Sequence, residues 1–261
     1  MFTAGEWIVL LVIATLGHVM ALIWYLAARN KWRLCERTIY DLPIGEEQIR
    51  REFWNSLHAP MHAVILAAFL FAGFFNNTSF VSFLLTGIAT AIWAEIWHYF
   101  SHRLFHLRQL HWIHAEHHKS HLNSWLTAIS FSFTEKLVFD IGLIGLMAIA
   151  DLVISLNFYG VAAWYIGYLI INSFSHANFE LKSDNYNHFL GKVLTSTTYH
   201  SLHHSRYTGN YGLGTRFLDR LFKTEWEDYE PLYDRVCKER KPLKQLRERV
   251  VGFAAPAPPS S

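Results

Sequence analysis

Residues 79–121 read SFVSFLLTGIATAIWAEIWHYFSHRLFHLRQLHWIHAEHHKSH. An apolar run from Ser79 to about Phe100 passes without a break into residues 98–121, which hold eight of the chain's 16 histidines. A run of that length can cross the hydrocarbon layer of a bilayer as a helix. Imidazoles are therefore concentrated where a spanning helix leaves the membrane.

The rest of the chain has the same texture. At 261 residues, 52% hydrophobic and 16% aromatic, it is too apolar for an ordinary soluble domain. Further apolar runs occupy Trp7–Ala28, about Ala59–Phe75, Leu137–Ile154 and Asn157–Phe174. The last two are short, so one of them could reach only to mid-membrane. This predicts an all-α integral membrane protein with four to five membrane-embedded helices. A cytosolic helical cap would carry the histidines. With five spans, all 23 Lys and Arg residues fall on one side, in 29–51, 103–136 and after Lys182. The positive-inside rule makes that side cytosolic, with the N-terminus outside, in a bacterial inner membrane or the endoplasmic reticulum. The histidine-rich segments share that side.

Several classes are excluded. Cys35 and Cys237 stand far apart and support no disulfide framework or thiolate cluster. There is no phosphate loop, dinucleotide fingerprint or solenoid repeat. The basic stretch KERKPLKQLRER (238–249) reads as a helix facing anionic headgroups rather than nucleic acid. The chain is expected to form one domain over 1–250, with AAPAPPSS at its end placing a disordered tail at 251–261.

Spacing divides the histidines. His102 and His106 are four apart; His114, His117 and His118 form HxxHH, and His200, His203 and His204 repeat it. Residues three and four apart share a helix face, so each box can present imidazoles side by side. His176, at the end of the fifth run, is a ninth candidate. Nine nitrogen donors exceed one zinc site and suit two metal ions with four or five each. Spacing alone does not separate iron from zinc. His98, one turn before His102, is open between ligand and packing residue. His111 and His121 read as neighbours of the ligands or of headgroups, and His18, His58, His62 and His188 as interface or core residues.

EIWHYFSHRLFH (95–106), HWIHAEHH (111–118), HANFE (176–180), YHSLHHS (199–205) and NYGLGTRFLDRLFKT (210–224) resemble, in order, the fatty acid hydroxylase/sterol desaturase family of membrane histidine-box enzymes. The motif core covers 95–224, about half the chain. One position departs, Lys223, where the family usually has Gly. The resemblance implies a non-haem di-iron centre that uses O₂ and two electrons to hydroxylate or desaturate a membrane lipid at an unactivated C–H bond. It implies His102, His106, His114, His117, His118, His176, His200, His203 and His204 as ligands of two iron ions. Glu95, Asn178 and Asp219 would orient those ligands, and Arg103 would pair with Glu95 or a headgroup. Partners would be a lipid drawn from the bilayer and an external electron donor, such as cytochrome b5 or a ferredoxin with its reductase. HANFE and YHSLHHSRYTGNYG look most like the wax enzymes that convert aldehydes to alkanes, which is one alternative. A zinc-dependent membrane lipid hydrolase is another. A transporter is disfavoured because the histidines lie on one side rather than along a path through the spans.

Overall fold

The computed structural model describes residues 2–184 and 186–256. Among the described residues there is no β-strand, only isolated bridges. Their ten α-helices are, in order, α1 Ala4–Arg29, α2 Glu46–Ser56, α3 Met61–Phe71, α4 Phe80–Phe105, α5 His111–His118, α6 Phe133–Ile154, α7 Phe158–Ser175, α8 Thr197–Arg206, α9 Phe217–Leu221 and α10 Tyr229–Cys237. The long ones begin at side chains that satisfy their first free N–H groups. Thr3 and Glu6 form a reciprocal capping box on α1, and Ser79, Ser132 and Asn157 cap α4, α6 and α7.

Four segments are long and apolar enough to cross a membrane: Ala4–Arg29, Glu46–Phe71, Phe80–Phe105 and Phe133–Ile154. The second starts earlier than the apolar run alone implies, because amphipathic α2 leads into α3 across a break at Leu57–Pro60. Outward faces of the other three are apolar and bare, as at Leu11, Ile92 and Val153. A surface of that kind is stable facing lipid.

The fifth expected span, α7, lies outside that set of four. It is the central helix of the bundle, burying Val161, Tyr165, Leu169 and Asn172 against its neighbours. The polar and aromatic residues that it packs on protein lower its mean hydropathy. It still runs between the same two ends as α4. At one end, Phe158 N donates to Phe75 O at 2.9 Å and Asn77 N to Leu156 O at 3.0 Å. The Asp151 carboxylate completes that junction by accepting from Phe75 N at 2.7 Å. At the other end His176 caps α7 among the histidines.

The α4–α7 crossing is close because glycines meet there. A Cβ on Gly160 would stand 2.7 Å from the Phe83 carbonyl oxygen, a backbone atom that cannot rotate away. Gly160→Ala should therefore destabilise the protein by about 1–3 kcal/mol despite alanine's better helix propensity. Thermal unfolding in detergent would show a lower midpoint.

One set of ionisable groups inside the bundle pairs across α3 and α6. Asp140 on α6 meets His62 of α3 at 2.6 Å, with Lys136 against the same imidazole. Beyond the histidines a second core joins Ile39, Tyr199, Leu202, Tyr229, Tyr233, Val236 and Leu243. This layer packs α8 and α10 over the ends of the long helices. KERKPLKQLRER is not helical, against the expectation. Pro242 lacks an N–H, and the chain turns back so that Leu243 N donates to Ile39 O and Asp41 N to Leu243 O at 3.0 Å. Of the expected tail, residues 257–261 lie outside the described residues.

Candidate metal centre

The nine predicted histidines converge from four places: the end of α4, α5, the C-cap of α7, and α8. They sort into two groups, one of His102, His106, His114, His118 and His203, the other of His117, His176, His200 and His204. Within each group the ligand-capable atoms all lie within 4.8 Å of one another.

Helix geometry explains the sorting. Residues four apart are 40° apart around an α-helix, whereas residues three apart lie 60° to the other side. Each four-apart pair, His102/His106, His114/His118 and His200/His204, stays in one group. The middle histidine of each HxxHH box crosses to the other group: His117 leaves α5's pair and His203 leaves α8's pair. The exchange interlocks α5 and α8. The groups share a wall where His118 stacks on His204, with ring centroids 4.8 Å apart.

Hydrogen bonds fix which nitrogens face inward. His102 Nδ1 donates to Tyr211 O at 2.8 Å, His117 to Ser130 O at 2.9 Å, His176 to Asn172 O at 2.7 Å, His203 to Gly209 O at 2.7 Å and His204 to Ser120 O at 2.9 Å. A carbonyl only accepts, so the proton sits on Nδ1 and the Nε2 lone pair is free. His176 and His204 then point two lone pairs at each other across 3.1 Å. Burial, reinforced by neighbouring histidines, holds His117, His118, His200, His203 and His204 well below the ordinary imidazole value, and burial brings His176 down to about 4. Neutral rings are the ligating form. The Nε2 atoms of His102, His106 and His114 are buried without a partner. Facing lone pairs and orphaned nitrogens in two compact groups are what a cation in each would satisfy. The donor set fits a pair of transition-metal ions.

Sequence reasoning missed a carboxylate that touches these rings. Glu135 Oε1 lies 2.5 Å from His114 Nδ1. Ser132-Phe-Thr-Glu135 reads as a capping box, and Ser132 does accept from Glu135 N at 3.1 Å. The glutamate side chain, however, turns to the histidine instead of back to the cap. Glu135→Gln should cut metal affinity at that group by about 10–100-fold, measured by chelator competition.

Asp219, Glu95 and Asn178 stand further back. Asp219 accepts from Tyr211 N at 2.9 Å, Gly212 N at 2.7 Å, Thr224 Oγ1 at 2.6 Å and Tyr199 Oη at 2.9 Å. It thereby holds the loop whose Tyr211 carbonyl receives His102. Glu95 accepts from Thr215 N at 3.1 Å and Thr215 Oγ1 at 2.9 Å, packed over Gly214 where a Cβ would collide with it. Asn178 bonds both backbone groups of Tyr40, at 3.1 and 3.2 Å. Glu95 and Asn178 thus brace the surrounding chain and bond to none of the nine rings. Arg103 does not pair with Glu95; it donates to Tyr99 Oη at 3.2 Å and lies over the Phe222 ring. His98 belongs to neither group, and His111 and His121 flank Tyr207, whose ring covers His118.

The family model for fatty acid hydroxylases matches residues 87–224, which includes all nine histidines. The chain belongs to the fatty acid hydroxylase family. Among its curated relatives, a very-long-chain aldehyde decarbonylase of Oryza sativa subsp. indica is 25% identical over 230 residues, 84% of this chain and 36% of that protein. A second from Arabidopsis thaliana is 30% identical over 152 residues, 55% of this chain and 24% of its own. Methylsterol monooxygenase 1 of Rattus norvegicus is 28% identical over 140 residues, 53% of this chain and 45% of that protein. The chain thus spans about a third of the rice relative's length. No solved structure matches it.

The family is one of membrane-bound oxidoreductases, in keeping with the four apolar helices. Membership also gives Lys223 a physical reading. This hydroxylase-family chain holds Lys223 at φ 55°, a left-handed conformation that glycine adopts without strain. The side chain is exposed, so Lys223→Gly should stabilise the fold by about 0.5–1 kcal/mol, read as a higher unfolding midpoint.

Proposed function

We propose that this protein is an O₂-dependent non-haem di-iron oxidoreductase acting on an unactivated C–H bond of a membrane lipid, by hydroxylation or desaturation. The observation that carries the reading is the pair of neutral, buried histidine groups, whose inward nitrogens are unpartnered in one group and face one another in the other. His102, His106, His114, His118 and His203 would hold one iron, and His117, His176, His200 and His204 the other. Bound iron supplies the reduction of O₂ to an oxidant strong enough to break such a bond. Hydroxylation consumes O₂, two electrons and two protons and releases water. The chain's own share is to fix the rings through their Nδ1 bonds and to keep water out.

The electrons would come from a separate redox protein, and the lipid from the bilayer. The distribution of Lys and Arg supports an N-terminus outside and the histidines on the cytosolic side. Residues 1–250 would act as one domain. A specific observation favours a second outcome: the relative matched over 84% of the chain is an aldehyde decarbonylase, so aldehyde-to-alkane conversion is the alternative oxygenase reaction. Zinc in the same groups would instead give a lipid hydrolase.

Lipid mass spectrometry of cells with and without the protein decides between these. A gain of one oxygen reports hydroxylation, loss of two hydrogens desaturation, and an alkane one carbon shorter than its aldehyde the alternative. Hydrolysis products without O₂ uptake would replace the oxygenase reading with the zinc one.

A further inference from the structure

We infer that the substrate enters end-on, polar end first, through a groove between α4 and α7, and that His98 binds its terminal oxygen. The chemistry after binding rests on the lipid-oxygenase reading; the groove and its polar end do not. His98 stands one turn before His102, with ring centroids 5.2 Å apart, yet belongs to neither metal group. Its Nδ1 and Nε2 are both buried and both without a partner. A neutral imidazole carries one donor and one acceptor, and leaving either unmet in a dry interior is costly.

His98 also borders two cavities. The inner one, of about 30 Å³, is bounded by rings from both groups, including His102, His114, His117 and His176. The outer one, of about 200 Å³, runs between α4 and α7 along Ala91, Ala94, Gly167 and Gly214. His98 and Tyr168 line both. Small side chains open the outer groove, and Ile171, 45% exposed, stands at its rim. A straight alkyl chain fits such a lining.

Size decides how the chain is presented. The inner cavity, about 30 Å³, is much smaller than the outer groove, about 200 Å³, so the groove takes the length of an alkyl chain and the inner cavity its end. That end meets the two unpartnered nitrogens of His98, so it carries a polar atom, which in a lipid is oxygen. The ligand class is a straight-chain lipid with a terminal aldehyde, alcohol or carboxyl group, its reacting C–H bond near that end of the chain.

The full-length protein in lipid nanodiscs can be photolabelled with a C18 aldehyde, alcohol or carboxylate carrying a mid-chain diazirine. The matching hydrocarbon serves as comparison. Labels should map to 91–98 and 164–171, with the hydrocarbon labelling at least tenfold less. His98→Leu should reduce labelling about tenfold while both metals stay bound. Ala94→Trp, which fills the groove, should abolish labelling and also keep both metals, so retained metal certifies folding. Loss of metal from His98→Leu would make it a ligand and overturn the inference, as would equal labelling by the hydrocarbon or undiminished labelling of both variants. Wild-type protein that labels as expected but binds no metal would remove the oxygenase reading and leave the groove.

Discussion

Replacing His203 by alanine should bring the protein from two bound metal ions towards one and lower turnover by at least about 100-fold. The lower bound comes from residues that only orient a ligand, which typically cost 10–100-fold; removing the ligand itself costs more. His203 is the α8 histidine that crosses into the five-membered group, where its Nε2 lies 3.0 Å from His118 Nε2. Its loss leaves four rings and a hole on the α8 side. His117→Ala is the mirror case, since it leaves only His176, His200 and His204 in the four-membered group. Both variants should lose metal from different groups, so the double variant should hold fewer ions than either. His121→Ala, which alters a ring beside Tyr207 and outside both groups, should keep two. Metal analysis of the purified variants reads these differences whatever the substrate is.

Asp228→Ala is expected to destabilise the fold by about 3–5 kcal/mol, the cost of leaving a buried cation unpaired. Arg206 ends α8, two residues after His204, and its side chain is 1% exposed. It grips Asp228 bidentately at 2.7 and 3.0 Å and lies over the Trp226 ring. Without the carboxylate, the last turn of α8 loses its anchor to the segment before α10, and the ligand helix loosens. Unfolding of the variant should occur at markedly lower temperature, with metal released early. Replacing both partners by apolar residues of similar volume should recover much of the loss. Burial works against the charged carboxylate, but the Arg206 guanidinium overrides it and holds Asp228 below its ordinary value. The stability this pair contributes is therefore complete above the ordinary carboxylate range. It is lost as pH falls through the depressed value.

Much of this was legible in the sequence because membranes and metals impose simple patterns. Long apolar runs placed α1, α4 and α6, and HxxHH spacing placed the ligands on helices. The failures have physical causes. Hydropathy ranks a helix by its whole composition, so α7, whose Tyr165 and Asn172 face protein, reads only as a short apolar run although it is the bundle's centre. The division into five and four depends on a step of about 100° per residue. The middle histidine's crossing emerges from that step only once α5 and α8 are known to face each other. Glu135 was hidden by a second plausible role as a cap residue. Asp219 acts through a backbone amide and the Tyr211 carbonyl, contacts that no residue pattern records.

Two separate histidine groups, each holding one iron ion, are the central claim. Elemental analysis of the purified full-length chain from iron-replete cells tests it most directly. The expected result is two iron ions per chain, falling towards one in His203→Ala and in His117→Ala. Zinc in place of iron, a single ion per chain, or full metal content in both variants would contradict it.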